Sequence, residues 1–250
     1  MTDFGNSSYV GQVKGIISKI CHNSNIIDLT HNIEKYNIIE AAFVLYNSIT
    51  YFPNNSIFVC IVAPGVGTDR KPIIIKSETY YFVGPDNGIF TLILDNLNID
   101  KVIILQNQEY FHNTISNTFH GRDIFAPSAA YLSNGVDIDK FGIETSANNL
   151  VRNTSFYPQI FEKYIIGNIL FADSYGNLIS NIHSSYLSHK NFKINFMSYE
   201  FTKLYNNFAD VEIGQALAFI GSSGHLELAI NQGNFSNLAS KNSTIQIHIL

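Results

Sequence analysis

The chain has 250 residues, 46% hydrophobic and 14% charged, with a formal net charge of −5. These values exclude a disordered chain and, with no Lys/Arg cluster present, argue against general nucleic-acid binding. No apolar run approaches the roughly 18 residues of a membrane helix, and the opening Thr2-Asp3-Phe4-Gly5 lacks the charged and apolar regions of a signal peptide. Two cysteines, Cys21 and Cys60, make no disulfide framework and fit no zinc spacing, so the expected compartment is the reducing cytoplasm and no metal is expected.

Val10, Val13, Ile16, Ile17 and Ile20 fall on one face of a helix over 9–21. Ile26 to Leu29 reads as a short strand. A second helix over 37–51 carries the stripe Ile38, Ala41, Ala42, Leu45 and Ile49. Ser56 to Val62 reads as a buried strand running into a Pro/Gly turn, and Ile73–Lys76 and Tyr80–Val83 as two more. A short helix over Phe90–Leu94, a strand over Val102–Leu105 and a helix over Ile124–Leu132, stopped by Asn134-Gly135, follow. Alternating strands and helices predict an α/β domain with a mainly parallel sheet flanked by helices.

The character changes near residue 150, where Asn148 to Pro158 is polar and irregular. Short apolar runs follow at 164–171, 178–182, 192–196, 216–220, 226–230 and 245–250, separated by Gly and Asn turns, a pattern of a small β-barrel or sandwich. The expected division is an α/β domain over 1–150, a linker over 151–163 and a smaller C-terminal β domain over 164–250.

Three polar clusters stand out: Pro64-Gly65-Val66-Gly67-Thr68-Asp69-Arg70, Gly84-Pro85-Asp86-Asn87-Gly88 and Phe119-His120-Gly121-Arg122-Asp123. A strand ending in a glycine-rich turn is where open α/β sheets place ligands. Asp3 reads either as a carboxylate accepting both hydroxyls of a ribose or as a turn or cap residue. Arg70 reads equally as an anion- or water-orienting group or as a surface Arg. His120, at a helix start beside Gly121, is placed for function. His31 reads as a satisfied structural histidine. His22, His112, His183, His189 and His248 have no motif around them.

Those clusters occur in order with Thr2-Asp3-Phe4-Gly5, Tyr9-Val10-Gly11, Asp28-Leu29-Thr30-His31, Ala172-Asp173-Ser174-Tyr175-Gly176-Asn177 and Gly221-Ser222-Ser223-Gly224-His225-Leu226-Glu227. Over almost its whole length the sequence resembles the S-adenosyl-L-methionine hydroxide adenosyltransferase family (S-adenosylmethionine hydrolases), relatives of the fluorinases and chlorinases. The resemblance implies an N-terminal α/β domain, a C-terminal β-barrel, and a homotrimer with sites between subunits. It implies attack of water or hydroxide on the ribose C5′ of S-adenosyl-L-methionine, giving adenosine and L-methionine without a cofactor. A sulfonium leaves as a neutral thioether, so a positioned oxygen nucleophile is the main requirement.

Carried over by motif, Arg70 and His120 match the family Arg and His. The family Asp before Pro-Gly-Val-Gly-Thr is here Ala63. Asp3 resembles the ribose carboxylate and Tyr36 an aromatic against the nucleoside. Asp173 resembles the methionine-ammonium contact, Tyr175 an adenine-stacking aromatic, Asn177 an adenine-reading amide, and Ser222 and Ser223 the methionine-carboxylate contact. Asp173 and Asn177 also read as plain turn formers around Gly176, and Tyr175 as barrel surface. Ala63 fits either a substitution made to bind substrate without turnover, or a natural variant that is slow or uses S-adenosylmethionine as a ligand only. Two further departures concern the ribose end. Only Met1 stands where the family has an apolar strand, which predicts a weakened sheet and a loosened Asp3. The Gly5–Tyr9 loop is short, with Ser7-Ser8 where the family tends to have Asp. The leading expectation is a hydrolase impaired at Ala63. The alternative is a protein that binds S-adenosylmethionine or adenosine without turnover; a halogenase ranks below both, and a methyltransferase is disfavoured.

Overall fold

The computed structural model describes residues 1–188, 191–239 and 243–250, so His189 lies outside the described residues. The chain forms two compact units, Met1–Asn153 and Thr154–Leu250.

The first unit is a five-stranded sheet between two helix layers. Its strands are β1 (Ile57–Val59), β2 (Pro72–Ser77), β3 (Tyr81–Pro85), β4 (Ile99–Leu105) and β5 (Gly142–Thr145), in spatial order β1-β3-β2-β4-β5. Alternation along the strands sends side chains to opposite faces. Ile73, Ile75 and Phe82 pack with Ala41, Leu45, Ile93 and Leu94 of α2 (Ile38–Ser48) and α3 (Thr91–Asn96). Ile74, Val83 and Ile103 pack with Val13 of α1 (Ser8–Ile20) and Ala126 and Ala129 of α4 (Ala126–Ser133). Each fully buried Ile contributes about 1.5–3 kcal/mol of burial free energy.

The α/β class holds, but the expected parallel sheet is mixed. Only β1 and β3 pair in parallel among the named strands; β3-β2, β2-β4 and β4-β5 are antiparallel. Three residues separate β2 from β3, and a parallel pair needs a crossover of about a dozen residues, so this connection imposes a hairpin. Ile26–Leu29 forms no strand: the segment is irregular, and its neighbour Thr30 accepts the Thr2 amide through its carbonyl at 3.1 Å. Sequence reading missed β5, whose Gly-Ile-Glu-Thr lacks an apolar run.

Met1 and Thr2 run beside β1. The Ile61 amide donates to the Met1 carbonyl at 2.9 Å, and Thr2 bridges Ile61 in parallel. Beside this contact an apolar groove of about 360 Å³ is lined by residues that include Val10, Val13, Ile17, Val59 and Ala129; Ala63, Arg70 and His120 do not line it.

The second unit is one curled antiparallel sheet: β7 (Tyr164–Ala172), β8 (Leu178–His183), β9 (Phe192–Phe196), β10 (Tyr199–Phe201), β11 (Ala216–Ile220), β12 (His225–Ile230) and β13 (Thr244–Ile249). Their order is β10-β9-β13-β7-β8-β12-β11, and β6 (Gln159–Ile160) pairs with β7. Phe201 of β10 and Ala218 of β11, from opposite ends of that order, share one core with Ile165, Leu178 and Leu226, so the sheet wraps around it as a barrel does. Within 151–163, Thr154–Phe156 forms a 3₁₀ turn ahead of β6.

Candidate active site

In the first unit the chain leaves Val62 through a turn built on Gly65 and Gly67, at φ of 78° and 82°. Glycine adopts this left-handed region without steric penalty. The Thr68 hydroxyl donates to the Gly65 carbonyl at 2.7 Å, and Asn87 Nδ2 donates to the Val62 carbonyl at 3.0 Å, tying the 84–88 cluster to this strand end. Ala63 is half-buried at the start of the turn and Arg70 half-buried at its end.

The Arg70 guanidinium lies over the Phe125 ring, its Cζ 5.8 Å from the centroid. Its Nε, Nη1 and Nη2 are buried and have no hydrogen-bond partner among the described residues. Burial pushes its pKa below the usual arginine range. His120 opens one wide π turn, Gly121–Phe125, that leads into α4. A Cβ on Gly121 would lie 2.9 Å from Ile61 Cγ2, so only glycine lets the His120 turn approach the strand leading to Ala63 this closely. Burial first, and the Arg70 charge second, lower the His120 pKa; Asp123 opposes them. The imidazole is therefore neutral at neutral pH. Asp123 is fully buried, and burial pushes its carboxyl up. The hydrogen bonds from Arg122 (2.6 and 3.0 Å) and from the Ser116 amide (2.8 Å) outweigh this and hold its pKa below the ordinary value. Asp123 is thus committed to its own turn; the Arg70 charge reaches His120 and lowers its pKa, and Ala63 brings no carboxylate.

Asp3 and Tyr36 also meet. Asp3 Oδ2 accepts the Tyr36 amide at 3.0 Å, and Tyr36 sits at φ 66° with 69% of its surface exposed, so the carboxylate holds an exposed left-handed residue. The expected loosening of Asp3 is opposed by a polar relay around Thr2. The Phe4 amide donates to Thr2 Oγ1 (3.2 Å), Thr2 Oγ1 bonds His31 Nδ1 (2.9 Å), and His31 Nε2 bonds Asp28 Oδ1 (3.0 Å). Lys14 donates to the other Asp28 oxygen. These bonds, from Lys14 first and His31 second, hold the Asp28 carboxyl below its usual pKa. His31 is the satisfied histidine that its sequence context suggested.

In the second unit the turn between β7 and β8 is organised by Asp173. Its Oδ1 accepts the Tyr175 and Asn177 amides, and its Oδ2 accepts Asn177 Nδ2, each at 2.9 Å. Asp173 and Asn177 are therefore turn formers as well as candidate contacts. Gly176 has φ 84°, and Tyr175 projects with 79% of its surface exposed. The turn between β11 and β12 presents Ser222 to solvent, while Ser223 Oγ is buried with no partner among the described residues.

Sequence reading missed Glu227. It sits on β12 opposite Ile179 of β8, and its carboxyl fills the space that a Cβ on Gly221 would occupy. Burial first, and the Asp173 charge second, push its pKa up to about 7. The signal available in the sequence was an acid between apolar neighbours in Leu226-Glu227-Leu228-Ala229. A carboxyl with a raised folded-state pKa keeps its proton while the unfolded chain loses one, so stability is full below about 4.5 and falls as pH rises toward about 7. With solvent screening of this partly exposed group, the expected fall is about 1–2 kcal/mol. Glu227→Gln is expected to flatten the thermal midpoint over that window, as differential scanning calorimetry from pH 4 to 8 would read. An unchanged slope would show that Glu227 does not titrate there.

Among the described residues, no group of three or more His, Cys, Asp or Glu is placed to hold a metal ion, and no helix is long and apolar enough to cross a membrane. Cys21 and Cys60 are free and buried, and burial pushes the Cys60 thiol up to about 12.

Residues 1–142 match the family model of the SAM hydroxide adenosyltransferase N-terminal domain, and residues 167–247 that of its C-terminal domain. The (R)-S-adenosyl-L-methionine hydrolase of Methanocaldococcus jannaschii is 32% identical over 273 residues, covering 100% of this chain and 94% of that protein. The (R)-S-adenosyl-L-methionine hydrolase of Thermus thermophilus is 29% identical, covering 94% of this chain and 91% of that one. A crystal structure of an uncharacterized conserved protein from Thermotoga maritima superposes with a TM-score of 0.88 at 33% identity, over 99% of this chain and 98% of that one. With both domain models matched and a full-length relative above 30% identity, the chain belongs to the SAM hydroxide adenosyltransferase family.

Proposed function

We propose that this protein hydrolyses S-adenosyl-L-methionine to adenosine and L-methionine by attack of water on the ribose C5′, at a rate held down by Ala63. The observation that carries this reading is the Arg70–His120 pair: an unpartnered, buried guanidinium beside an imidazole kept neutral by burial and by that guanidinium. Such a pair can hold a water oxygen and stabilise negative charge developing on it. As the C5′–S bond breaks, its electron pair stays on sulfur and the sulfonium becomes a neutral thioether. The attacking water must lose a proton, and an alanine methyl group cannot accept it.

The remaining assignments belong to this reading. Asp3 accepts the two ribose hydroxyls, and Tyr36 lies against the nucleoside. Tyr175 stacks on adenine and Asn177 reads its edge. Asp173 holds the methionine ammonium, and Ser222 and Ser223 its carboxylate. The reaction uses no cofactor. We assign the protein to the cytoplasm and to a homotrimer with sites at subunit interfaces; sedimentation at the monomer mass would overturn that assembly.

A second reading, binding without turnover, is favoured by Ala63 alone. Incubating the native chain and Ala63→Asp with S-adenosyl-L-methionine and separating products by chromatography distinguishes the two. Turnover by Ala63→Asp supports the hydrolase reading, and an inert but folded Ala63→Asp sinks it. Formation of 5′-halo-adenosine on adding chloride or fluoride would instead support a halogenase.

A further inference from the structure

We propose that the apolar groove beside β1 takes the C-terminal tail of another chain. The tail inserts as a short, wholly apolar strand parallel to β1, its terminal carboxylate against the Met1 ammonium. The inference does not depend on the proposed activity, because Ala63, Arg70 and His120 do not line the groove.

The backbone of β1 is the starting point. Successive residues of a strand direct their N–H and C=O groups to opposite edges. Ser56 and Cys60 direct theirs to β3: the Tyr81 amide donates to the Ser56 carbonyl at 3.0 Å, and the Cys60 amide to the Val83 carbonyl at 2.9 Å. Ile57, Val59 and Ile61 therefore face the groove. There the Val59 carbonyl accepts the Met1 ammonium at 2.9 Å, and the Ile61 amide donates to the Met1 carbonyl at 2.9 Å. The Ile57 N–H and C=O and the Val59 N–H have no partner among the described residues. An open edge of this kind is a template for a further strand. Met1 and Thr2 set its direction and register. Thr2 bridges Ile61 in parallel and its amide donates to the Thr30 carbonyl, so the same line continues between β1 and Ile26–Leu29, both of which line the groove.

The walls dictate what fits. Val13 and Ala129 close one side and Leu45 and Phe58 the other, each pair belonging to a different core layer. A strand between two such layers is buried on both faces, so it is apolar at every position and not at alternate ones. The groove volume of about 360 Å³ suits a ligand of a few residues. Charge selects a chain end. The Met1 ammonium lies in the groove, burial pushes its pKa down, and no carboxylate pairs with it among the described residues. Asp28, the acid that senses it, is held by Lys14 and His31. A terminal carboxylate at this point answers the charge with a charge-assisted hydrogen bond. The protein's own C-terminus does not serve, because Thr244–Ile249 is held as β13 between β7 and β9.

The test uses the full chain and a fluorescein-labelled hexapeptide, two lysines followed by four alternating valines and isoleucines, with a free terminal carboxylate. Saturable binding by fluorescence anisotropy is expected. The peptide amide is expected to bind about tenfold or more weakly, the effect of losing a charge-assisted hydrogen bond. Proline at the two central apolar positions, which removes a donor toward each edge, is expected to abolish binding. Val10→Trp, which puts a ring into the groove from a half-buried position on α1, is expected to block it. Hydrogen exchange is expected to slow at the Ile57 and Val59 amides and across Ile26–Leu29 when the peptide binds. No saturable binding, equal binding of the proline peptide, or binding without slower exchange at Ile57 and Val59 overturns the inserted strand. Equal binding of the amide overturns the choice of a chain end. Ile57 and Val59 amides already protected in the protein alone, with the peptide excluded, assign the groove to a second copy of this chain and overturn the inference.

Discussion

Ala63→Asp is expected to raise the rate of adenosine release by about 10²–10⁴-fold, the range a positioned general base contributes. The scaffold around the position is intact. Gly65 and Gly67 hold the turn in left-handed backbone, and Asn87 ties its root through the Val62 carbonyl. The new carboxylate would enter a site that already holds a neutral imidazole and an unpartnered guanidinium. The gain should appear in kcat with little change in KM, since proton removal belongs to the transition state and not to substrate binding. Steady-state kinetics by chromatography reads both constants. A gain confined to KM would assign the position to substrate binding instead.

Asp3→Ala is expected to weaken adenosine binding by about 10²-fold or more. A carboxylate that accepts two ribose hydroxyls makes two charge-assisted hydrogen bonds, each worth about 1.5–3 kcal/mol. The same carboxylate holds the Tyr36 amide, and therefore the left-handed turn that presents the Tyr36 ring. Asp3→Asn keeps an acceptor for that amide but loses the charge, so it should fall between native and Ala. His31→Ala, which breaks the Thr2–His31–Asp28 relay, should weaken adenosine binding less than Asp3→Ala because the carboxylate survives. Isothermal titration with adenosine measures the series. Equal affinity for native and Asp3→Ala would remove Asp3 from the ribose site.

The legible parts of the fold were those with a strong local period. The stripe of α2 appears as buried Ala41, Ala42 and Leu45, continued by Ile49 just past its end, and α1 buries Val13 of its stripe, because a helix's apolar face is written in neighbouring residues. Strand direction was not legible from alternation of elements alone; the short connection after β2, which forces a hairpin, carried that information. Ile26–Leu29 failed as a strand because an apolar run needs a pairing partner, and pairing is a long-range property.

The candidate site was suggested by the sequence for a different reason. Arg70 and His120 lie far apart in sequence, and only the ordered motifs suggested that they meet. Burial was invisible at that level. The unpartnered guanidinium, the neutral imidazole and the raised Glu227 pKa all follow from desolvation, which depends on packing and not on local sequence. Asp173 shows the reverse: its turn was readable from Asp-Ser-Tyr-Gly-Asn, and the structure realises it in three hydrogen bonds.

The central claim is that water attacks the ribose C5′. Turnover of S-adenosyl-L-methionine by Ala63→Asp in oxygen-18 water, followed by mass spectrometry of the products, tests it directly. The account predicts adenosine labelled at its 5′ oxygen, with unlabelled L-methionine in equal amount. Unlabelled adenosine, or a nucleoside product still carrying sulfur, would contradict it.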